Sequence, residues 1–270
     1  MSVEGKVVVV TGGAKGIGRW VAKTFAKEGA RLAIADVAPM ETVMGEVRAL
    51  GAEALAVRTD VCVEDEVRSL MDRVYRQYGR IDVLINDAAI VTHFHEGAPR
   101  WPRIRDMDES FFDRVMRTNL GGTFLCTKHV LPYMESLNAG HVIHFGQGTL
   151  RVRQDAPPNI GTCVYGVSKL SIRAFAKFVA EEEREFNICV LSMGPGSGGG
   201  DERARETGAG IPGGGGGIVT EDSPQWARES PRPAQVDTVG DRYVLAAQAS
   251  MDFSGHQVTV RDGALAIVED

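Results

Sequence analysis

The sequence has few cysteines, no long apolar run and no excess of positive charge. Its four cysteines are dispersed without metal-ligand spacing, at Cys62, Cys126, Cys163 and Cys189. No apolar run reaches the length of a membrane span, and the first residues lead into a strand without a signal-peptide pattern. The formal net charge of -6 argues against nucleic-acid binding. We therefore expect a cytoplasmic protein with reduced thiols and no metal, and neither a membrane nor a nucleic acid as partner.

The 270 residues can bury the core of one large α/β domain. Strand-like runs recur at 6–10, 31–35, 53–57, 81–85, 141–145, 188–192 and 257–260. Helical patterns separate most of these runs, at 17–28, 39–50, 64–78, 108–135, 164–186 and 234–250. This alternation predicts a Rossmann-like, doubly wound parallel sheet of about seven strands with helices on both faces. A ligand crevice is then expected at the carboxyl ends of the strands.

A glycine-rich turn follows the first predicted strand. The β-branched run at 7–10 leads into Thr11-Gly12-Gly13-Ala14-Lys15-Gly16-Ile17-Gly18, and an amphipathic helical pattern comes next. Main-chain N–H groups of such a turn, together with a helix N-terminus, can hold a pyrophosphate. We therefore predict a dinucleotide site here, with a plain strand-to-helix turn as the alternative.

Tyr165 and Lys169 stand one helical turn apart and share a helix face. An unperturbed tyrosine with a pKa of about 10 is a poor base at neutral pH. A neighbouring ammonium favours the ionised phenol and lowers that pKa. The pair predicts an acid/base site, although an exposed pair at this spacing also occurs by chance.

These motifs together resemble the short-chain dehydrogenase/reductase family, classical type, over essentially the full length of the chain. The matching segments are the glycine-rich turn, Asp60-Val61, Asn86-Asp87-Ala88-Ala89, Asn119-Leu120-Gly121-Gly122, Tyr165 with Lys169, Pro195-Gly196, and Ser254-Gly255 with Asp262-Gly263. The resemblance implies one dinucleotide-binding catalytic domain over residues 1–270. It also implies a reaction between a secondary alcohol and a ketone on a small or medium organic substrate.

The resemblance implies roles for the matching residues. Tyr165 would exchange a proton with the substrate oxygen, and Lys169 would lower its pKa and hydrogen-bond the nicotinamide ribose. Asn119 would interrupt its helix and help to hold a water that relays protons to Lys169. The expected contacts to the dinucleotide, beside Tyr165 and Lys169, are Gly12, Lys15, Gly16, Ile17, Gly18, Asp36, Asp60, Val61, Asn86, Ala88, Pro195 and Gly196.

Asp36, at the end of the second predicted strand, bears on the choice between NAD and NADP. It lies about 18 residues beyond the last glycine of the turn, where a carboxylate can accept hydrogen bonds from ribose hydroxyls. The same carboxylate would repel a 2′-phosphate. Lys15 favours NADP, because family members that prefer NADP often carry a basic residue in this turn. We expect NAD, with NADP as the alternative, since Asp36 acts directly at the discriminating atom.

The serine that the family places after the fifth strand is absent. Gln147 occupies its position, or Gly146 if the register differs by one. Loss of such a donor to the substrate oxygen can lower a rate by roughly 100- to 1000-fold. The amide of Gln147 or the hydroxyl of Thr149 can donate to the substrate oxygen in place of the serine. The alternative is that neither residue does so. Two alternative functions therefore remain. One is dinucleotide binding without redox turnover, and the other is a non-redox reaction such as dehydration or epimerisation through Tyr165.

Two segments and one helix face remain. The pattern of residues 91–106 predicts a loop insertion at the substrate end. It contains His93, His95, Arg100, Arg103 and Arg105, which can bind an acidic or polar substrate. The alternative is a loop that is solvated or contacts another subunit. Residues 194–217 hold 12 of the 32 glycines and predict a mobile lid. The predicted helix at 164–180 is apolar around most of its circumference, and the resemblance implies a homodimer or homotetramer through it.

Overall fold

Eight strands form one sheet in the computed structural model, which describes residues 2–90, 103–146, 163–194 and 239–268. Apolar side chains fill the central strands and are buried on both faces, as a parallel sheet between two helix layers requires. In chain order the strands are β1 (Val7–Thr11), β2 (Arg31–Asp36), β3 (Ala54–Arg58), β4 (Val83–Asn86), β5 (Gly140–Phe145), β6 (Ile188–Met193), β7 (Gln257–Arg261) and β8 (Ala264–Ile267).

The strand order is β3-β2-β1-β4-β5-β6-β7-β8, and every pairing is parallel except that of β7 with β8. The predicted Rossmann-like, doubly wound sheet is thereby confirmed. The winding changes direction between β1 and β4, so the ligand crevice of such a sheet lies at their carboxyl ends. Thr11 at the end of β1 is in register with Asn86, which is in register with His144 of β5.

The sheet has eight strands where about seven are predicted, and the additional one is the edge strand β8. It forms a hairpin with β7, in which Arg261 is opposite Ala264 and Asp262 and Gly263 make the turn. Both turn residues have a positive φ, 51° for Asp262 and 78° for Gly263. An Asp-Gly pair between two strand patterns is a strong hairpin signal, and it could have identified β8.

The helices lie near the predicted ranges. They are α1 (Gly16–Lys27), α2 (Glu41–Ala49), α3 (Glu64–Tyr78), α4 (Glu109–Met116), α5 (Gly122–Leu137), α6 (Cys163–Glu182) and α7 (Val239–Ala246), within the described residues. A π-helical segment, Arg117–Gly121, divides the predicted helix at 108–135 into α4 and α5. The prediction of a helix to residue 250 was wrong, because the N–H groups of Gln248 and Ala249 bond three residues back instead of four.

Helices cover both faces of the sheet. Helices α1, α2 and α7 bury side chains such as Phe25 and Tyr243 on one face. Helices α3, α5 and α6 bury side chains such as Leu70 and Met134 on the other. Burial of a large apolar side chain contributes about 1.5–3 kcal/mol, so these two layers hold the carboxyl edge of the sheet in place. None of the described helices combines the length and apolar character of a membrane span.

Candidate functional site

The turn between β1 and α1 is shaped by close main-chain contacts. The N–H groups of Gly12 and Gly13 donate to the carbonyl oxygen of Ala35 at 2.8 and 3.3 Å. Gly12 has a φ of 69°, and a Cβ on it would come within 2.7 Å of the Ala88 Cα. A Cβ on Gly18 would overlap the carbonyl oxygen of Gly12. Glycine is therefore required at both positions, because any side chain would overlap neighbouring main-chain atoms.

Helix α1 begins at Gly16, immediately after this turn. Among the described residues no side chain caps it, and its first turn contains no acidic residue. The first N–H groups of a helix lack intrahelical partners and carry partial positive charge, so they suit a phosphate. Lys15 is exposed before the helix, whereas Ile17 packs against the core. The turn and helix start fit the pyrophosphate of a dinucleotide.

Asp36 lies beside the same turn. Its Oδ2 accepts a hydrogen bond from the Ala14 N–H at 3.0 Å, and its Oδ1 accepts one from the Ala38 N–H at 2.9 Å. The side chain is half-buried, and each carboxylate oxygen has a second lone pair. Asp36 can therefore support the turn and still accept a hydrogen bond from a ribose hydroxyl.

The loop after β3 brings Asp60 and Val61 to the same edge of the sheet. Asp60 is half-buried, and its Oδ1 accepts a hydrogen bond from the Cys62 N–H at 2.8 Å. Val61 is buried so close to Gly122 that a Cβ on that glycine would lie 2.5 Å from Val61 Cγ2. These contacts fix the loop against the start of α5.

Asn119 lies in the π-helical segment and is fully buried. Its Oδ1 accepts a hydrogen bond from the Ile90 N–H at 2.8 Å, and its Nδ2 lies 3.3 Å from the Ile90 carbonyl oxygen. Nδ2 also donates to Ser168 Oγ at 3.1 Å, and that hydroxyl donates to the Tyr165 carbonyl oxygen at 2.7 Å. The break in the helix thus lets one amide join the loop after β4 to the first turns of α6.

Tyr165 and Lys169 lie together in the first two turns of α6. Lys169 is 2% exposed, and its Nζ lies 4.6 Å from the centroid of the Phe145 ring and 5.6 Å from that of the Tyr165 ring. Burial lowers the pKa of Lys169 to about 8, and the negative charge of Asp87 opposes this shift. A buried ammonium beside a phenol is the electrostatic arrangement that an acid/base tyrosine needs.

Asn86 and His144 form a buried polar pair under the edge of the sheet. Asn86 Nδ2 donates to His144 Nδ1 at 3.1 Å and lies 3.3 Å from Thr127 Oγ1. Burial and the charge of Lys169 lower the pKa of His144 to about 3, so its imidazole is neutral. His144 packs in the sheet as its position indicates, and the Asn86 amide points into the protein. The Oδ1 atom of Asn86 has no hydrogen-bond partner among the described residues.

Asp87 is a feature whose importance the sequence pattern did not indicate. The N–H groups of Asp87 and Ala88 donate to Thr11 Oγ1 at 3.2 and 3.3 Å, which ties the loop after β4 to the end of β1. A Cβ on Gly18 would lie 3.0 Å from Asp87 Oδ2, so the carboxylate borders the start of α1.

Several predicted residues lie outside the described residues. These are Gln147, Thr149, Pro195 and Gly196, with 91–102 of the predicted insertion and 195–217 of the predicted lid. Arg103 and Arg105 are described and exposed, and the ion pair of Arg105 with Asp106 at 3.5 Å is solvated. The described residues contain no group of side chains that could hold a metal, and Cys62, Cys126, Cys163 and Cys189 are free.

Known proteins share this sequence pattern. The family model described as short chain dehydrogenase matches residues 6–204. Secoisolariciresinol dehydrogenase of Forsythia intermedia is 38% identical over 194 residues, and tropinone reductase-like 2 of Erythroxylum coca is 32% identical over 195 residues. Each match covers 72% of this chain and 66% of the relative, so the chain spans slightly less than two thirds of their length.

Solved structures share the fold. The structure of NAD⁺-bound xylitol dehydrogenase superposes with a TM-score of 0.64 at 30% identity, over 73% of this chain and 72% of that one. A 7α-hydroxysteroid dehydrogenase complexed with NADH and 7-oxo glycochenodeoxycholic acid gives a TM-score of 0.63 at 28% identity, with the same coverage.

Proposed function

The chain belongs to the short-chain dehydrogenase/reductase family of oxidoreductases, and we propose that it interconverts a secondary alcohol and a ketone with NAD(H). The observation that carries this proposal is the buried Lys169 beside Tyr165, at the carboxyl edge of the sheet and next to a glycine turn that fits a pyrophosphate. The substrate is a small or medium organic molecule. The exposed position of Arg103 and Arg105 supports the solvated-loop interpretation for those two arginines.

The residues at the edge of the sheet fit a nicotinamide dinucleotide. Gly12, Gly18 and the first turn of α1 would hold the pyrophosphate, and Asp36 would hold the adenosine ribose. Such a cofactor supplies or accepts the hydride when it is bound. The first turn of α1, which has no side-chain cap and no acidic residue among the described residues, is the observation that supports this fit.

The protein's own groups would handle the proton. Tyr165 would donate a proton from its hydroxyl to the substrate oxygen in reduction and take it back in oxidation. Lys169 would lower the pKa of that phenol by its positive charge. Asn119 and Ser168 hold the main chain at Tyr165 through the hydrogen bonds described above, so they would keep the phenol in position. We propose Gln147, ahead of Thr149, as the donor that replaces the missing serine.

Nicotinamide absorbance with a panel of secondary alcohols and ketones tests this function. Turnover of at least one substrate is the expected result. Tight dinucleotide binding without turnover of any substrate would favour a binding protein that has lost its activity. Product formation without a change in nicotinamide absorbance would favour the non-redox alternative.

Replacing Asp36 with asparagine is expected to weaken NAD binding by about tenfold or more and to strengthen NADP binding. Hydrogen bonds to charged groups contribute about 1.5–3 kcal/mol, and the neutral amide no longer repels a 2′-phosphate. Calorimetric dissociation constants for both dinucleotides check this result. Asp65→Asn, a change at an exposed position on α3, is the matched control. A wild-type protein that binds NADP more tightly than NAD would contradict the assignment.

We propose that the protein is a homodimer or homotetramer through α5 and α6. The side chains of Phe178, Val167 and Phe124 are 70%, 49% and 46% exposed on these helices. Exposed apolar side chains of this size on neighbouring helices are typical of a protein interface. Light scattering should give the mass of a dimer or tetramer for the wild-type protein and a lower mass for Phe178→Glu. A monomeric wild-type protein at all concentrations would contradict the proposal.

A further inference from the structure

Tyr243 of α7 has a buried hydroxyl group that has no partner within residues 2–90, 103–146, 163–194 and 239–268. Its side chain is 0% exposed, and its Oη makes no hydrogen bond to any of the described residues. Buried polar groups are nearly always hydrogen-bonded, and leaving one unpaired costs about 1–3 kcal/mol. The part of the chain that the structure describes therefore supplies no acceptor or donor for this phenol, although a phenylalanine would fill the same space without this cost.

The position of Tyr243 connects it to the proposed active site. The Tyr243 ring stacks on the Phe145 ring, with 6.5 Å between centroids and 11° between planes. Lys169 Nζ lies 4.6 Å from the centroid of the same Phe145 ring. Burial, and after it the negative charges of Asp87 and Tyr165, raise the pKa of the Tyr243 phenol well above its ordinary value. Tyr243 thus lies within electrostatic range of Tyr165 and of the carboxylate that borders the start of α1.

Helix α7 holds the phenol rigidly in this place. Gly240 packs against Thr24 of α1 so closely that a Cβ on the glycine would overlap the threonine side chain. Helix α1 is the helix whose first turn would hold the pyrophosphate. Burial does not separate Tyr243 from the site, because Lys169, the proposed contact to the nicotinamide ribose, is also only 2% exposed.

We propose that the Tyr243 hydroxyl forms a hydrogen bond with the nicotinamide half of the bound dinucleotide and so is a further cofactor-binding residue. This inference rests on the proposed function. The nicotinamide half is favoured because the phenol lies in range of Tyr165 and is linked through Phe145 to Lys169, the two residues proposed for that end.

Tyr243→Phe tests this proposal in the unliganded protein and with two ligands. Without ligand, the variant should unfold at the same temperature as the wild type or a higher one, because the lost hydroxyl had no partner. NAD should bind about tenfold more weakly to the variant, the equivalent of one hydrogen bond. ADP, which lacks the nicotinamide riboside, should bind both proteins equally. Tyr75→Phe, at an exposed tyrosine of α3, is the control.

The other outcomes overturn the proposal in distinguishable ways. A lower unfolding temperature for unliganded Tyr243→Phe than for Tyr75→Phe would mean that the hydroxyl has a protein partner. Equal NAD affinities in variant and wild type would exclude the contact while leaving the proposed function intact. An equal loss of ADP and NAD affinity would place the contact on the phosphates or adenosine instead. A wild-type protein that binds no dinucleotide would refute the proposed function itself.

Discussion

Replacing Tyr165 with phenylalanine is expected to lower turnover by on the order of 10²- to 10⁴-fold while dinucleotide binding is kept. The change removes one hydroxyl group and leaves the ring, so the contact of Lys169 with the aromatic face, at 5.6 Å from the ring centroid, can remain. The loss should therefore appear in the proton transfer step. Initial rates from nicotinamide absorbance and calorimetric dissociation constants measure the two quantities separately.

Tyr75→Phe provides the matched control for this experiment. Tyr75 lies on α3, is 39% exposed and contacts Tyr133 with 4.9 Å between ring centroids. Loss of its hydroxyl should leave both rate and affinity unchanged. If Tyr165→Phe keeps the wild-type rate with a substrate that is turned over, another group transfers the proton and the proposed role of Tyr165 is wrong.

Replacing Lys169 with methionine is expected to raise the stability of the unliganded protein near pH 7 and to lower turnover by on the order of 10²-fold. The folded protein holds this lysine with a pKa lowered to about 8, mainly through burial. The unfolded chain has a lysine pKa of about 10.4. A shift of this size corresponds to a stability difference on the order of 3 kcal/mol, which methionine, of similar length and without charge, should recover.

The sign of the pH dependence follows from these two pKa values. Between about pH 8 and about pH 10.4 the unfolded chain binds more protons than the folded protein, so wild-type stability rises with pH relative to Lys169→Met. Below about pH 8 both states hold the proton, and the full cost of the buried ammonium is present. The advantage of the variant should therefore be largest near pH 7 and decline above about pH 8.

Urea unfolding of both proteins across this pH range measures the difference. Lys177→Met changes an exposed lysine on the same helix and should show no such pH-dependent gain. A Lys169→Met variant that is less stable than the wild type near neutral pH would contradict this prediction. The free-energy cost of burying the ammonium would then be fully offset by the charge of Asp87 and the rings of Phe145 and Tyr165.

Local patterns predicted the parts of the site that depend on short stretches of chain. The glycine turn before α1 and the position of Asp36 follow from a strand, a turn and a helix in sequence. The parallel sheet follows from the alternation of strand and helix patterns. The interruption at Asn119 came from the resemblance, since the helical pattern predicted at 108–135 runs through this segment without a break.

Contacts between distant segments could not be predicted in the same way. The burial of Lys169 depends on Phe145, and the unpaired hydroxyl of Tyr243 depends on how α7 packs on α1 and β5. The sequence does not indicate that these two side chains are buried, because a tyrosine or lysine in an amphipathic helix is usually near the surface. Only the packing of the sheet brings their functional groups together.

The neutral state of His144 makes the kinetics of this site simple to interpret. With a pKa near 3, the imidazole adds no inflection to a pH–rate profile in the range where an ordinary histidine, with a pKa of about 6.5, would titrate. An inflection close to pH 8 would accordingly report the Lys169 ammonium. The buried ring of His144 is thus excluded as the source of an inflection near neutrality.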